Sequence, residues 1–131
     1  PESVSLIPKG ITNLGNTCFF NSVMQNLVRT KEFRTHLLEF KYCESKHEGE
    51  IGPLSEKLVD FMSDMSNNYR SSVRPSELFA ELIRKSPRYK GFQQHDSHEL
   101  LWTILDHIRM EERARLRSLA SSDGANPPAA P

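Results

Sequence analysis

Apolar residues along the chain recur at helical spacing in successive stretches, separated by polar or glycine- and proline-marked breaks. The first stretch runs from about Cys18 to Val28 and places Phe19, Val23, Met24 and Leu27 on one face. Lys31 to Tyr42 forms the second, with Phe33, Leu37, Leu38 and Phe40 to bury. The Gly49–Pro53 region breaks the pattern, and Leu54 to about Ser66 resumes it with Leu58, Phe61, Met62 and Met65 in phase. Pro75 suits the first position of a fourth helix carrying Leu78, Phe79, Leu82 and Ile83, and Pro87 stops it. "NNYRSSVRP" and "RYKGFQQ" read as polar loops. In "DSHE", Asp96 and Glu99 stand at the spacing of a capping box, opening a long helix with Leu100, Leu101, Ile104, Leu105 and Ile108 toward the core. Its continuation "RMEERARLRSL" is dense in charge and is expected to project into solvent. No segment alternates as a strand, and the expected fold class is mainly α. Residues 1–9 read as an extended lead-in and 121–131 as a disordered Gly/Pro/Ala tail.

Composition narrows the function classes. Lysine plus arginine and aspartate plus glutamate balance at 17 each, so nothing global points to direct nucleic-acid binding. No stretch approaches the roughly 18 apolar residues of a membrane span, and no signal-peptide pattern opens the chain. The two cysteines, Cys18 and Cys43, are too few for a disulfide scaffold and lack the CxxC spacing of a zinc site. The expectation is therefore no metal, no cofactor, no membrane, and a reducing cytoplasmic or nuclear setting. The chain opens on "PESVSLIPKG" without a methionine and closes on "SSDGANPPAAP", which reads as a piece of something larger.

The chemistry centres on "GITNLGNTCFFNSVMQNL". Cys18 follows a Gly/Asn/Thr-rich turn and opens a helix, near the positive end of its dipole if Asn16 or Thr17 caps it. That field is worth roughly 0.3–1 kcal/mol, and about 2 at best. A paired imidazole does far more for a thiolate. Asn13, five residues upstream, could supply an amide donor to an oxyanion hole. The plain alternative is a small buried residue beside a helix cap, since cysteine is among the most buried residue types.

Two motifs decide between these. "GITNLGNTCFFNSVMQNL" resembles the Cys box of the ubiquitin-specific proteases, papain-like cysteine deubiquitinases, and "YKGFQQHDSHELLWTILD" resembles the Gln-Gln-Asp-x-(His/Gln)-Glu box that follows it. The wording is most like the branch containing ubiquitin carboxyl-terminal hydrolases 16 and 45. The resemblance covers about Lys9 to Arg117, and residues 10–120 are expected to be a partial catalytic domain, the helical thumb of an α+β fold without palm and fingers.

It implies Cys18 as nucleophile and Asn13 as oxyanion-hole donor. It also implies Asp96 and Glu99 as lining of the channel for ubiquitin's Arg- and Gly-containing tail, with Gln94 and His98 as further candidates there. Gln25 and Gln94 fall on recurrent motif positions and are expected to tie the boxes together. A carboxylate facing a guanidinium is a sound specificity device, because such pairs are strong and directional. The partners implied are ubiquitin and ubiquitinated proteins, with the thumb packing on a palm.

None of His36, His47, His95, His98 and His107 lies in a Gly-His-aromatic box, where the family carries its general base. His98 is expected to be structural or tail-contacting, and His36, His47 and His107 solvated. The chain alone is expected to be inactive. The alternative is a non-catalytic helical module that binds ubiquitin or a protein partner.

Overall fold

Each apolar stripe becomes a helix, and the helices share one core. A computed structural model describes residues 9–14, 17–42, 49–66, 72–73, 75–90 and 95–123. The elements in chain order are β1 (Gly10–Ile11), α1 (Cys18–Arg29), α2 (Lys31–Tyr42), α3 (Pro53–Ser66), β2 (Ser72–Val73), α4 (Ser76–Lys85), a 3-10 turn (Pro87–Tyr89) and α5 (Ser97–Asp123). The class is mainly α. The lead-in before Lys9, Gly15, Asn16, Cys43, His47, Gln94 and residues 124–131 lie outside the described residues.

The α1 helix buries Phe19, Phe20, Val23, Met24, Leu27 and Val28, and it packs on α2 and α5. Each such side chain contributes about 1.5–3 kcal/mol of burial. At Thr30 the backbone turns extended and the chain passes directly into α2. Thr30 satisfies the end of α1 with its N–H on the Leu27 carbonyl (3.1 Å) and its hydroxyl on the Asn26 carbonyl (3.0 Å). The α3 helix inserts Leu54, Leu58, Phe61, Met62 and Met65 and touches α2, α4 and α5.

The sequence pattern shows no strand, yet β1 and β2 pair in parallel, Gly10 with Ser72 and Ile11 with Val73. Two residues are too few for alternation to appear. The pairing matters because β1 leads into the cysteine loop. Side chains of α1 tie down the same segment: Gln25 Nε2 donates to the Lys9 carbonyl (2.7 Å), and Asn21 Nδ2 to the Ile11 carbonyl (3.4 Å). Lys9 Nζ donates in turn to the Asp64 carbonyl on α3 (3.0 Å).

The long helix departs from expectation at three points. Leu100 and Ile104 are buried, but Leu105 is 38% exposed. At about 100° per residue, Leu105 falls beyond the edge of the stripe through Leu100, Ile104 and Ile108. The same stripe reaches Glu111, seven residues past Ile104, so the charged continuation does not simply project into solvent.

The Glu111 carboxylate accepts from the N–H groups of Leu54 (3.0 Å) and Ser55 (2.8 Å) and from the Ser55 hydroxyl (2.8 Å), and pairs with Lys85 (3.0 Å). It caps α3 from another helix. Burial pushes its carboxyl up, but the Leu54 and Ser55 donors and Lys85 outweigh this and leave it below the ordinary carboxylate range. Gly52 leaves the room: a Cβ there would stand 2.5 Å from the Glu111 carboxyl carbon. Finally, α5 continues to Asp123, beyond the expected tail boundary at Ser121, because no breaker precedes Gly124.

Candidate active site

Cys18 is the first residue of α1 and is exposed. Thr17 occupies the cap position, is buried, and makes no forward side-chain cap. Its hydroxyl instead accepts from the Leu14 N–H (2.9 Å) and donates to Asn13 Oδ1 (2.9 Å). The Thr17 N–H also reaches Asn13 Oδ1 (3.3 Å). Two donors on the oxygen fix which way the Asn13 amide faces, and its Nδ2 remains the donor end for an outside acceptor. No acidic residue occupies the first turn of α1, so its positive end is not offset there.

The second box opens α5. Asp96 Oδ1 accepts from the His98 N–H (2.8 Å), so Asp96 caps the helix as its spacing suggested. Glu99 does not return the favour. Its Oε1 takes Nη1 of Arg88 at 2.5 Å, and both side chains are about half exposed.

The boxes meet through aromatic rings. Phe19, next to Cys18, lies with its centroid 5.3 Å from the His95 imidazole, edge-on, and stacks on Tyr89 at 6.2 Å. His95, next to Asp96, also meets Tyr89 edge-on at 4.9 Å. This three-ring cluster sets the helix start that bears Cys18 against the start of α5.

The described histidines are each engaged. His36 is exposed on α2, against Phe40. His98 is exposed, and its Nε2 accepts from Trp102 Nε1 (3.1 Å). His107, expected in solvent, is half-buried with its Nε2 3.0 Å from the Ser86 hydroxyl, since it lies along the inward stripe of α5. His95 Nε2 is buried and makes no hydrogen bond.

A protein-family model described as ubiquitin carboxyl-terminal hydrolase matches residues 9–126, spanning both boxes. The chain belongs to the ubiquitin carboxyl-terminal hydrolase family. It is 41% identical over 130 residues to human ubiquitin carboxyl-terminal hydrolase 45, covering 87% of this chain and 16% of that protein. Against mouse ubiquitin carboxyl-terminal hydrolase 16 the identity is 41% over 124 residues, 82% of this chain and 15% of the relative. For ubiquitin carboxyl-terminal hydrolase 1 of Arabidopsis thaliana it is 39% over 118 residues, 88% and 10%. The chain thus spans a small fraction of the length of these relatives.

Within the family frame, sequence reading overlooked three residues. Tyr89 and His95 form the ring cluster, and Arg88 occupies Glu99. A weak signal existed in "PRYKGFQQHD": an aromatic and a cation beside the acidic box, in a stretch read as a polar loop running into that box.

Proposed function

We propose that this chain is the cysteine-bearing thumb of a deubiquitinase that cleaves the peptide or isopeptide bond after ubiquitin's C-terminal glycine. The Phe19–His95 contact carries the reading, because it brings the nucleophile's helix start against the acidic box. In this reading the Cys18 thiolate attacks the glycine carbonyl carbon. The tetrahedral oxyanion draws on Asn13 Nδ2. Collapse expels the amine, which takes a proton from an imidazolium, and leaves a thioester that water then hydrolyses. Asp96 and Glu99 receive the cationic tail, with His98 beside them.

In this reading the base is an imidazole from outside this chain, because none of its five histidines lies in a Gly-His-aromatic box. The chain alone is therefore silent. Exposed Trp102, Leu105 and Leu116 fall on one face of α5 and suit packing against a further subdomain such as a palm. A ubiquitin–fluorophore release assay tests the reading. The isolated chain should give no turnover above a Cys18→Ala control, whereas Cys18-dependent turnover would refute the need for an external base.

A further inference from the structure

We propose that Arg88 is a built-in occupant of the acidic subsite, holding Glu99 in the place of a substrate guanidinium and leaving when ubiquitin's tail binds. The inference rests on the reading above that Glu99 receives that tail.

The geometry is specific. Arg88 Nη1 donates to Glu99 Oε1 (2.5 Å), while Nη2 donates to the Tyr89 hydroxyl (2.7 Å) and to Thr103 Oγ1 (2.9 Å). The guanidinium lies 4.8 Å from the centroid of the Tyr89 ring. Thr103 Oγ1 also donates to the Glu99 carbonyl (2.9 Å), so two of the partners of Arg88, Glu99 and Thr103, stand one turn apart on α5. Charge-assisted contact, hydroxyl acceptors and a ring face together reproduce what a bound arginine would ask of a receptor.

The position is equally specific. Tyr89 stacks on Phe19, whose neighbour is Cys18, so Arg88 stands at the edge of the ring cluster joining the two boxes. A capping-box glutamate would turn back to the Asp96 N–H. Glu99 is drawn to Arg88 instead.

A second guanidinium forking onto Glu99 would have to share Oε1 with Arg88, and two like charges on one exposed carboxylate repel. Displacing Arg88 relieves that repulsion and frees both oxygens for the incoming fork. The exchange is feasible because the pair is exposed, and an exposed pair is worth little to hold. Arg88 thus sets a threshold that a weakly cationic or misregistered peptide does not pass.

Isothermal titration of ubiquitin into the chain tests this with Arg88→Gln, Glu99→Gln and the double variant. The expected result is about two- to fivefold tighter binding for Arg88→Gln, the range open to an exposed pair. Glu99→Gln should weaken binding, and on that background Arg88→Gln should change nothing further. If Arg88→Gln misfolds, Arg88→Lys keeps the stem and loses the fork, and should give a smaller gain. Unchanged or weaker binding in the Arg88 variants, with Glu99→Gln still weakening it, overturns the occupant role and spares the site. Binding insensitive to Glu99→Gln, or no binding at all, overturns the site reading and the occupant with it.

Discussion

The ring of Phe19 meets the imidazole of His95 edge-on with centroids 5.3 Å apart, and Tyr89 closes the triangle. One partner adjoins the cysteine and the other adjoins Asp96. Packing and site geometry are therefore one feature. Phe19→Ala should cost about 3–5 kcal/mol of stability in urea unfolding, as buried aromatic truncations do. Phe19→Leu should cost less and keep the fold. A loss below about 1 kcal/mol for the alanine variant would mean that the cluster does not hold the boxes together.

Asp96 separates two roles. As a cap it needs only a side-chain oxygen, so Asp96→Asn should leave the melting temperature near that of the parent. Asp96→Ala should lose about 1 kcal/mol. Both should weaken ubiquitin binding if the charge is what the tail meets. Equal destabilisation by the two substitutions would show that the charge, and not the cap, matters to folding.

Thr17 holds the Asn13 amide through a buried hydroxyl. Thr17→Val leaves the Leu14 N–H and Asn13 Oδ1 without that partner and should cost about 1–2 kcal/mol. Thiol labelling of Cys18 by a ubiquitin-linked electrophile should slow, while a small alkylating agent should react as before. Slowing of both reagents alike would place the effect on the thiol itself rather than on the amide.

Glu111 gives the chain an acid limit. Its folded carboxyl lies below the ordinary range, so the unfolded chain binds its proton first as pH falls. The cap's contribution is complete above the unfolded carboxylate value, about 4.3, and is lost as pH drops through the lower folded value. Glu111→Gln should be less stable at neutral pH and should show a flatter melting profile below about pH 4.5. Gly52→Ala should destabilise further by crowding Glu111 out of place, at about 1–3 kcal/mol. A profile in Glu111→Gln parallel to the parent's would assign the acid sensitivity to other carboxylates.

The helices were legible because each carries a stripe wide enough to survive loop noise, and Pro53, Pro75 and Pro87 mark their limits. The β1–β2 pair was not, since its register depends on residues about sixty positions apart and on two residues per strand. Glu111 was misread because a charge on a core-facing phase looks like a solvated residue until the amide groups of another helix are known to lie beneath it. Cys18 and the acidic pair were legible as motifs, but their convergence depends on Phe19, Tyr89 and His95, whose pairing no local pattern announces.

The central claim is that Cys18 and the 95–99 box form one site for ubiquitin's tail. Mass spectrometry of the chain after exposure to ubiquitin bearing a C-terminal electrophile tests it most directly. The account predicts a single adduct on Cys18, slowed at least about tenfold in Asp96→Asn/Glu99→Gln, with reaction toward a small alkylating agent unchanged. Adduct formation equally fast in that double variant, or adducts on Cys43 as readily as on Cys18, would contradict it.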